Sequence, residues 1–368
     1  MDELDVGDVE PLEAPVPPPG TLTESFEGTA RSSARKISSV VLEDNILQKD
    51  KVCTAGSNAL SGFSAPFDSA VAESCRRAGF SIGQHPCSCE LGFSFGEKLG
   101  KTAAELALGK RCDAVLCADL LGSSGCDAAS RGLLYLRPTY GTVSRYGLVP
   151  AAPSMDTIGV LAKTPDDVFS VLSVIAGYDE RDGVMSRIKN YTYQPAASEL
   201  RIGQEGDFEL PRKNILFDLM LILSCVELSV NTNRGDELAF LNAKLRTQEF
   251  SFDTKLMLIM GAMVFSQEIY RERYRKAMRL RRLVYNEVNE LFSQFDALSL
   301  PAQSQGYTVS LLCGLPCLFL PVENGYRLML AKGGNENVLY AVAEANKKPP
   351  VKSGLKVVSD IFVKKTNL

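Results

Sequence analysis

Two groups of side chains in this sequence have the chemistry of soft-metal ligands. One group combines His85 with Cys87 and Cys89, and the other pairs Cys313 with Cys317. Structural zinc sites join two such pairs at short, regular spacings, and neither group is completed by a second pair. The sequence shows no secretory signal, so its ten cysteines are expected to stay reduced. We therefore expect these thiols to be buried as small apolar side chains, with no metal ion and no cofactor.

The second chemistry that the sequence suggests is the binding of phosphate groups by clustered positive charge. Apolar residues at intervals of three or four predict one long helix over residues 255–295. Arginines recur at similar intervals on its opposite face, and lysines cluster near the C-terminal end. The basic residues concerned are Arg271, Arg275, Arg279, Arg282, Lys347, Lys348, Lys352 and Lys356. They are candidates for contacts with RNA or with a protein partner; a helix face that is only solvated is the alternative.

Composition divides the chain into a body and two tails. Residues 1–35 are rich in Pro and in acidic residues, so we expect a disordered arm there. Residues 36–346 form the body; a chain with 45% hydrophobic residues can build one large α/β domain or two smaller ones. Residues 347–368 form a basic tail. We expect no membrane span, because no apolar stretch is long enough.

Short apolar runs alternate with helical patterns along the body, which is typical of an α/β protein. Apolar runs bounded by polar residues predict strands at 37–42, 114–117, 200–203, 297–301 and 317–321. Helical patterns cover residues 69–78, the stretch that ends at Gly109, and residues 166–176. These strands and helices must position the side chains that carry out any function of the chain.

Residues 136–149 and 154–159 carry the most distinctive pattern in the chain. It includes Arg-Pro-Thr-Tyr-Gly at 137–141, and it continues as Ala-Lys-Thr-Pro-Asp-Asp at 162–167. The pattern resembles the segment that follows the nucleophile in amidase-signature enzymes, most closely in the A subunit of glutamyl-tRNA(Gln) amidotransferase, and the similarity extends over residues 36–346. The resemblance implies an α/β amidase-signature fold, with a mixed, mostly parallel sheet flanked by helices.

Amidase-signature enzymes cleave amides with a nucleophilic serine, a second serine on a cis peptide bond, and a lysine base. The resemblance places these three positions at Ser123, Lys98 and Glu43. A carboxylate at position 43 cannot replace a neutral lysine that withdraws a proton through a serine relay. Because a cis bond before a non-proline residue costs about 3–4 kcal/mol, we expect a trans bond between Glu97 and Lys98. Two of the three catalytic positions therefore hold the wrong residue type.

Ser123 keeps the family's nucleophile, but its surroundings differ from the family pattern. Leu120 and Leu121 replace a threonine and a glycine of the family's Asp-Thr-Gly-Gly-Ser, and Gly125 replaces an arginine. The amides there form the family's oxyanion hole, and a leucine hinders the approach of a substrate carbonyl. We interpret Ser123 as a vestigial nucleophile.

Glu43 and Lys98 occupy positions that touch in the family, so we predict an ion pair between them. Such a pair would keep Lys98 protonated and unable to act as a base for Ser123. If Glu43 points away instead, a Ser123–Lys98 dyad remains as an alternative. The resemblance also places Arg281 at the family's substrate-binding arginine and Ser304 near its substrate-binding aspartate, so we interpret Arg281 as a vestigial substrate-binding residue.

These replacements predict a pseudoenzyme: an inactive amidase-like protein that serves as a structural or interaction subunit of a larger assembly. Because the family works in translation, we expect an organellar, most readily mitochondrial, complex such as the ribosome, with other protein subunits as partners. The acidic N-terminal segment is not typical of a transit peptide, so a cytoplasmic location is the alternative. Two other functions stay open: an active amidase or glutaminase-type subunit that uses Ser123, and a non-catalytic partner within a glutamyl-tRNA amidotransferase.

Overall fold

The computed structural model describes residues 37–87, 89–92, 102–109, 112–187, 191–196, 199–231, 248–266 and 269–346. The arm predicted at residues 1–35 and the basic tail predicted at 347–368 lie outside this part of the chain. Lys98 and the peptide bond that precedes it also lie outside it, so the predicted Glu43–Lys98 pair and the trans bond stay predictions.

Nine strands of the described residues form one sheet, in the order β2-β1-β3-β5-β4-β8-β9-β7-β6. The strands are β1 Ser39–Glu43, β2 Ser81–His85, β3 Ala114–Ala118, β4 Leu134–Arg137, β5 Ile158–Ala162, β6 Ile202–Gly203, β7 Ala297–Pro301, β8 Cys317–Val322 and β9 Gly325–Ala331. The central strands β3, β4, β5 and β8 are almost entirely buried. Burial on both faces explains why they read as continuous apolar runs in the sequence.

The sheet is mixed, as expected. The pairings β1–β2, β1–β3 and β6–β7 are parallel and lie toward the two edges. The other five pairings are antiparallel. Parallel pairing is thus less frequent than the resemblance implies, because β5 is inserted antiparallel between β3 and β4, and because β8 and β9 form a hairpin.

Helices cover both faces of this sheet. They are α1 Ala70–Arg77, α2 Ala103–Leu108, α3 Ser123–Ser130, α4 Pro165–Ile175, α5 Leu216–Asn231, α6 Phe252–Val264, α7 Arg275–Gln294, α8 Gly306–Cys313 and α9 Glu336–Ala345. One core layer holds residues from α2, α3 and α5–α8, and the other holds residues from α1, α4 and α9. Neighbouring residues of β3 alternate between the layers, Val115 in the first and Leu116 in the second, as strand geometry requires. The predicted α/β class is confirmed.

The prediction of one continuous helix over residues 255–295 is wrong, because this segment does not form a single helix. It is divided into α6 and α7, with a π-helical turn, Tyr270–Tyr274, immediately before α7. Neither Gly nor Pro occurs between Phe265 and Tyr274, so the usual stop signals are missing. The apolar spacing continues through the break and therefore could not reveal it.

Two other helices begin where the sequence predicts. Ser69 and Thr164 accept backbone N–H groups as the N-caps of α1 and α4, and Pro165 opens α4. Within the described residues, no helix combines the length and the apolar character that crossing a membrane requires.

Candidate functional site

The ends of two neighbouring parallel strands bring Glu43 and Asp119 together. Glu43 is the last residue of β1, Asp119 directly follows β3, and the register pairs Leu42 with Leu116. Side chains at the carboxyl ends of adjacent parallel strands lie at one edge of the sheet, where α/β proteins bind ligands. Both carboxyl groups are buried there.

The surroundings of the Glu43 carboxyl favour its neutral form. Burial raises its pKa well above the ordinary value of 4.5, and the charges of Asp119 and Asp44 raise it further. Against these effects stands one backbone hydrogen bond, from Ala118, while Oε1 has no hydrogen-bond partner among the described residues. Burial and these charges both disfavour the charged carboxylate, which is the form that could accept a proton from a serine.

The Asp119 carboxylate caps the N-terminus of α3. Its Oδ1 accepts from the N–H groups of Gly122 and Ser123 at 2.8 and 3.0 Å, and its Oδ2 accepts from Ser124 and Gly125 at 2.8 and 3.1 Å. Burial raises the pKa of Asp119, and the four donors oppose that rise. A negative charge there is also stabilised by the positive end of the helix.

Several amides that an oxyanion hole would need are already engaged around Ser123. Ser123 is the first residue of α3 and is half-buried. Its own N–H and that of Gly122 donate to Asp119, and the N–H of Leu120 donates to the carbonyl of Gly92 at 3.2 Å. An oxyanion hole requires donors that are aimed at the substrate before it binds. These three N–H groups instead donate to acceptors within the protein.

A short turn, Glu90–Gly92, contributes Leu91 and Gly92 to the lining of a cleft at this edge of the sheet. Leu91 has a left-handed backbone, with φ of 53°, and its N–H donates to Ala55 at 2.7 Å. The cleft has about 270 Å³ of empty space, counting its open mouth. Its lining is Asn45, Leu91, Gly92, Ala118, Asp119, Leu120, Val149, Ala151, Met155, Asp156 and Thr157. Ser123 is not among these residues.

Aromatic rings fill the space beside the start of α3. A Cβ on Gly125 would lie 2.7 Å from the Phe319 ring, and a Cβ on Gly122, whose φ is +81°, would lie 2.9 Å from the Tyr307 ring. The Tyr307 hydroxyl donates to the carbonyl of Asp119. The family's arginine position, Gly125 here, therefore has no room for a side chain.

The Arg281 guanidinium lies in an internal network rather than in the cleft. Arg281 is fully buried on α7; its Nε donates to Leu312 O at 2.7 Å, and its Nη1 and Nη2 donate to Ser154 Oγ and O at 2.7 and 2.9 Å. Ser154 in turn donates from its N–H to Glu227 at 2.8 Å. Burial lowers the pKa of Arg281, and the charge of Glu227 opposes this. Its vestigial role in substrate binding stays a prediction.

The predicted basic face of α7 is partly presented to solvent. Arg275 and Arg282 are exposed, and Arg279 is half-buried. The Arg282 guanidinium lies 6.0 Å from the centre of the Tyr285 ring. The side chain of Arg271 lies outside the part of the chain that the structure describes. Contact of this face with RNA stays a prediction.

The cysteines form no metal centre in the described part of the chain. None of the ten, all of which are described, makes a disulfide. Cys87, Cys89, Cys313 and Cys317 are buried, and burial raises the pKa of Cys313 to about 12. Within the described ranges, no three His, Cys, Asp or Glu side chains come together as metal ligands.

Sequence reasoning did not predict the structural roles of three polar residues in this region: Asp119, a retained residue of the family's nucleophile motif, and Glu90 and Glu227. The usual signal did not reveal the capping role of Asp119, because the residue directly before α3 is Gly122 and Asp119 lies four residues before the first helical residue. Glu90 and Glu227 could not be found either, because each acts on a partner distant in the sequence: Glu90 accepts from Ser251 at 2.9 Å, and Glu227 accepts from Ser154.

Comparison with known proteins agrees with this architecture. The family model described as Amidase matches residues 109–207 and 203–307, more than half of the chain. The A subunit of glutamyl-tRNA(Gln) amidotransferase from Aliarcobacter butzleri (strain RM4018) is 26% identical over 386 residues, covering 83% of this chain and 85% of that protein.

Solved structures share the fold at low identity. The A subunit of glutamyl-tRNA(Gln) amidotransferase from Thermotoga maritima superimposes with a TM-score of 0.59 at 23% identity, covering 85% of this chain and 83% of that one. A chain from a vestigial protein complex, linked to the origins of an s-triazine catabolic enzyme, gives a TM-score of 0.70 at 18% identity, covering 86% and 85%. The protein described here belongs to the amidase family.

Proposed function

We propose that this chain is a catalytically inactive amidase-family protein that serves as a structural or interaction subunit of a larger assembly. The observation that carries the proposal is Glu43, a buried carboxyl at the position where the family has its lysine base. Burial and the neighbouring charges of Asp119 and Asp44 raise the pKa of this carboxyl. Hydrolysis of an amide by Ser123 needs a base, and we infer that this buried carboxyl does not replace the family's lysine.

The surroundings of Ser123 support the same conclusion. Because the N–H groups of Leu120, Gly122 and Ser123 bind Gly92 and Asp119, a tetrahedral intermediate would have to displace protein acceptors. Losing one oxyanion-hole donor costs about 10²–10³ in rate in a serine hydrolase. We therefore expect a site that lacks both the lysine base and free oxyanion-hole donors to have little or none of the family's amidase activity.

A role in an assembly rests on the relatives and on the surface. The A. butzleri relative is, by its name, one subunit of a larger amidotransferase, so we propose other protein subunits as partners here. An organellar, most readily mitochondrial, translation complex such as the ribosome follows by analogy with that relative's tRNA-linked name. The exposed Arg275 and Arg282, together with the basic tail, are the surface we propose for RNA.

Fractionation of a gentle lysate tests the assembly role. The endogenous protein is tagged, separated on a density gradient, and its co-migrating proteins are identified by mass spectrometry. We expect one large particle with other subunits at a fixed ratio. Migration as a small species alone would contradict the proposal.

An activity screen tests the loss of catalysis separately. The purified chain and its Ser123→Ala variant are compared on glutamine and on a panel of small amides. We expect equal, background rates from both. Hydrolysis that disappears in Ser123→Ala would establish the alternative, an active amidase or glutaminase-type subunit that uses Ser123.

A further inference from the structure

We propose that the outward face of α6 is a self-complementary interface, through which two copies of this chain pair about a two-fold axis. The face consists of Phe252, Leu256, Ile259 and Met263, here called the α6 stripe. Their exposed fractions are 76%, 39%, 59% and 60%. Apolar side chains so exposed along one helix are unusual on a soluble surface and mark an interaction site. The proposal does not depend on whether Ser123 is active.

The orientation of α6 keeps the stripe outside. The opposite face of the helix is buried, and there Gly261 packs so closely on α5 that a Cβ would lie 2.1 Å from the carbonyl oxygen of Cys225. At the N-terminal end, the buried Glu90 accepts from Ser251 N–H and from the Thr254 hydroxyl. The helix is thus fixed at both ends and cannot turn its stripe into the core.

The amount of apolar surface suits a modest dimer. A whole aromatic side chain buries about 150–250 Å² and the side chains of Leu, Ile and Met are smaller, so the exposed fractions of the stripe correspond to on the order of 400 Å². A specific interface buries about 800 Å² on each partner. The stripe therefore supplies about half of one side, and the residues that flank it on α6 would complete the contact.

The spacing of the stripe favours a second copy as the occupant. The intervals between its members are four, three and four residues, which is the spacing of a helix–helix seam. The order of these intervals is the same from either end of the helix. When two copies of α6 run antiparallel, Phe252 lies opposite Met263 of the second copy, and Leu256 lies opposite Ile259. In this one register, every residue of the stripe contacts a stripe residue of the second copy, as an isologous contact requires.

The charges on α6 select the antiparallel arrangement. Its charged residues, Asp253 and Lys255, lie in the first turn, and no charged residue occurs from 256 to 266. Parallel copies would place like charges side by side. Antiparallel copies place the first turn of one helix beside the uncharged last turn of the other, with the helix dipoles opposed. An anionic lipid surface is a poor partner for this helix, because α6 carries a single lysine, Lys255, whereas helices that bind membrane surfaces carry many Lys and Arg residues.

Sedimentation velocity on the full chain over a wide concentration range tests the proposal. We expect a monomer–dimer equilibrium, with the dimer weakened about tenfold or more by either Leu256→Lys or Ile259→Glu, because each buries a charge without a partner. The matched control is Val52→Glu, since Val52 is 52% exposed and lies outside α6; it should leave the dimer unchanged. Circular dichroism checks that each variant is folded.

Mixing the two variants tests the register. In the antiparallel arrangement, the lysine introduced in Leu256→Lys meets the glutamate introduced in Ile259→Glu, so the mixture should form a heterodimer more readily than either variant forms a homodimer. A parallel arrangement brings no such pair together. Failure of the mixture to recover, a dimer unaffected by Ile259→Glu, or a monomer at all concentrations would each overturn the proposal. So would a chain that dimerises only after residues 347–368 are deleted, because that tail would then be the occupant.

Discussion

The carboxyl groups of Glu43 and Asp119 are buried at the ends of two neighbouring parallel strands, and the charge of Asp119 adds to the rise that burial causes in the pKa of Glu43. Their environments assign them different roles. Four backbone N–H groups stabilise the Asp119 carboxylate, which caps α3, whereas Glu43 Oε1 has no partner within the described ranges. A region that handles protons in the family's enzymes here holds one helix cap and one buried carboxyl whose pKa is raised.

The raised pKa of Glu43 predicts a stability that falls as pH rises. The folded chain binds this proton more tightly than the unfolded chain, whose carboxyl titrates near 4.5. The contribution of Glu43 is thus fully present below about pH 4.5 and is lost above it, by up to about 1.4 kcal/mol per pH unit. Glu43→Gln cannot ionise, so we expect it to gain stability relative to the original chain as the pH rises above about 4.5, as urea unfolding at several pH values would show.

A second outcome of that experiment would point to Lys98. If Glu43→Gln loses stability at neutral pH, and if a Lys98→Met background abolishes that loss, the two side chains form the ion pair that the sequence predicts. The double-mutant cycle separates this coupling from the effect of either single change. A difference between Glu43→Gln and the original chain that does not change with pH would contradict the raised pKa of Glu43.

Arg281 is predicted to stabilise the fold rather than to contact a substrate. Arg281→Met removes the hydrogen bonds to Leu312 and Ser154 and leaves Glu227 without its nearby charge. We expect a loss of about 3–5 kcal/mol in the free energy of unfolding. Its sequence neighbour provides the control: Arg282 is exposed, so Arg282→Ala should change stability by no more than about 0.5 kcal/mol. Equal effects of the two changes would contradict the buried network.

Much of the fold could be predicted from the sequence, because strands such as β3 and β7 are buried on both faces and helices such as α4 have clear caps. The catalytic positions could be located because residues 137–141 lie at a fixed distance along the chain from Ser123. What could not be predicted depends on long-range contacts. The sequence spacing places Arg281 beside the apolar stripe of its helix, but only the packing of Ser154 against α7 shows that its guanidinium turns inward.

The cap formed by Asp119 predicts the effect of a small change. Asp119→Asn replaces one carboxylate oxygen with an N–H₂ group, which cannot accept hydrogen bonds from the N–H groups it would face. We expect a loss of about 2 kcal/mol or more, measured by urea unfolding. The exposed Asp218 in the first turn of α5 is the control, and Asp218→Asn should cost no more than about 0.5 kcal/mol. Ser123→Ala should also be nearly neutral, since Ser123 gives its N–H rather than its hydroxyl to the cap.

The contact between Gly125 and Phe319 predicts that the family's arginine cannot be restored by one substitution. Even Gly125→Ala places a Cβ 2.7 Å from the Phe319 ring, and overpacking of this kind costs about 1–3 kcal/mol. No atom of the described residues lies within 4 Å of a Cβ built on Gly62, so Gly62→Ala should cost far less. In a Phe319→Leu background, the penalty of Gly125→Ala should shrink, because the ring that it meets is gone. A penalty that is unchanged in that background would show that the backbone of α3, and not the ring, requires glycine at position 125.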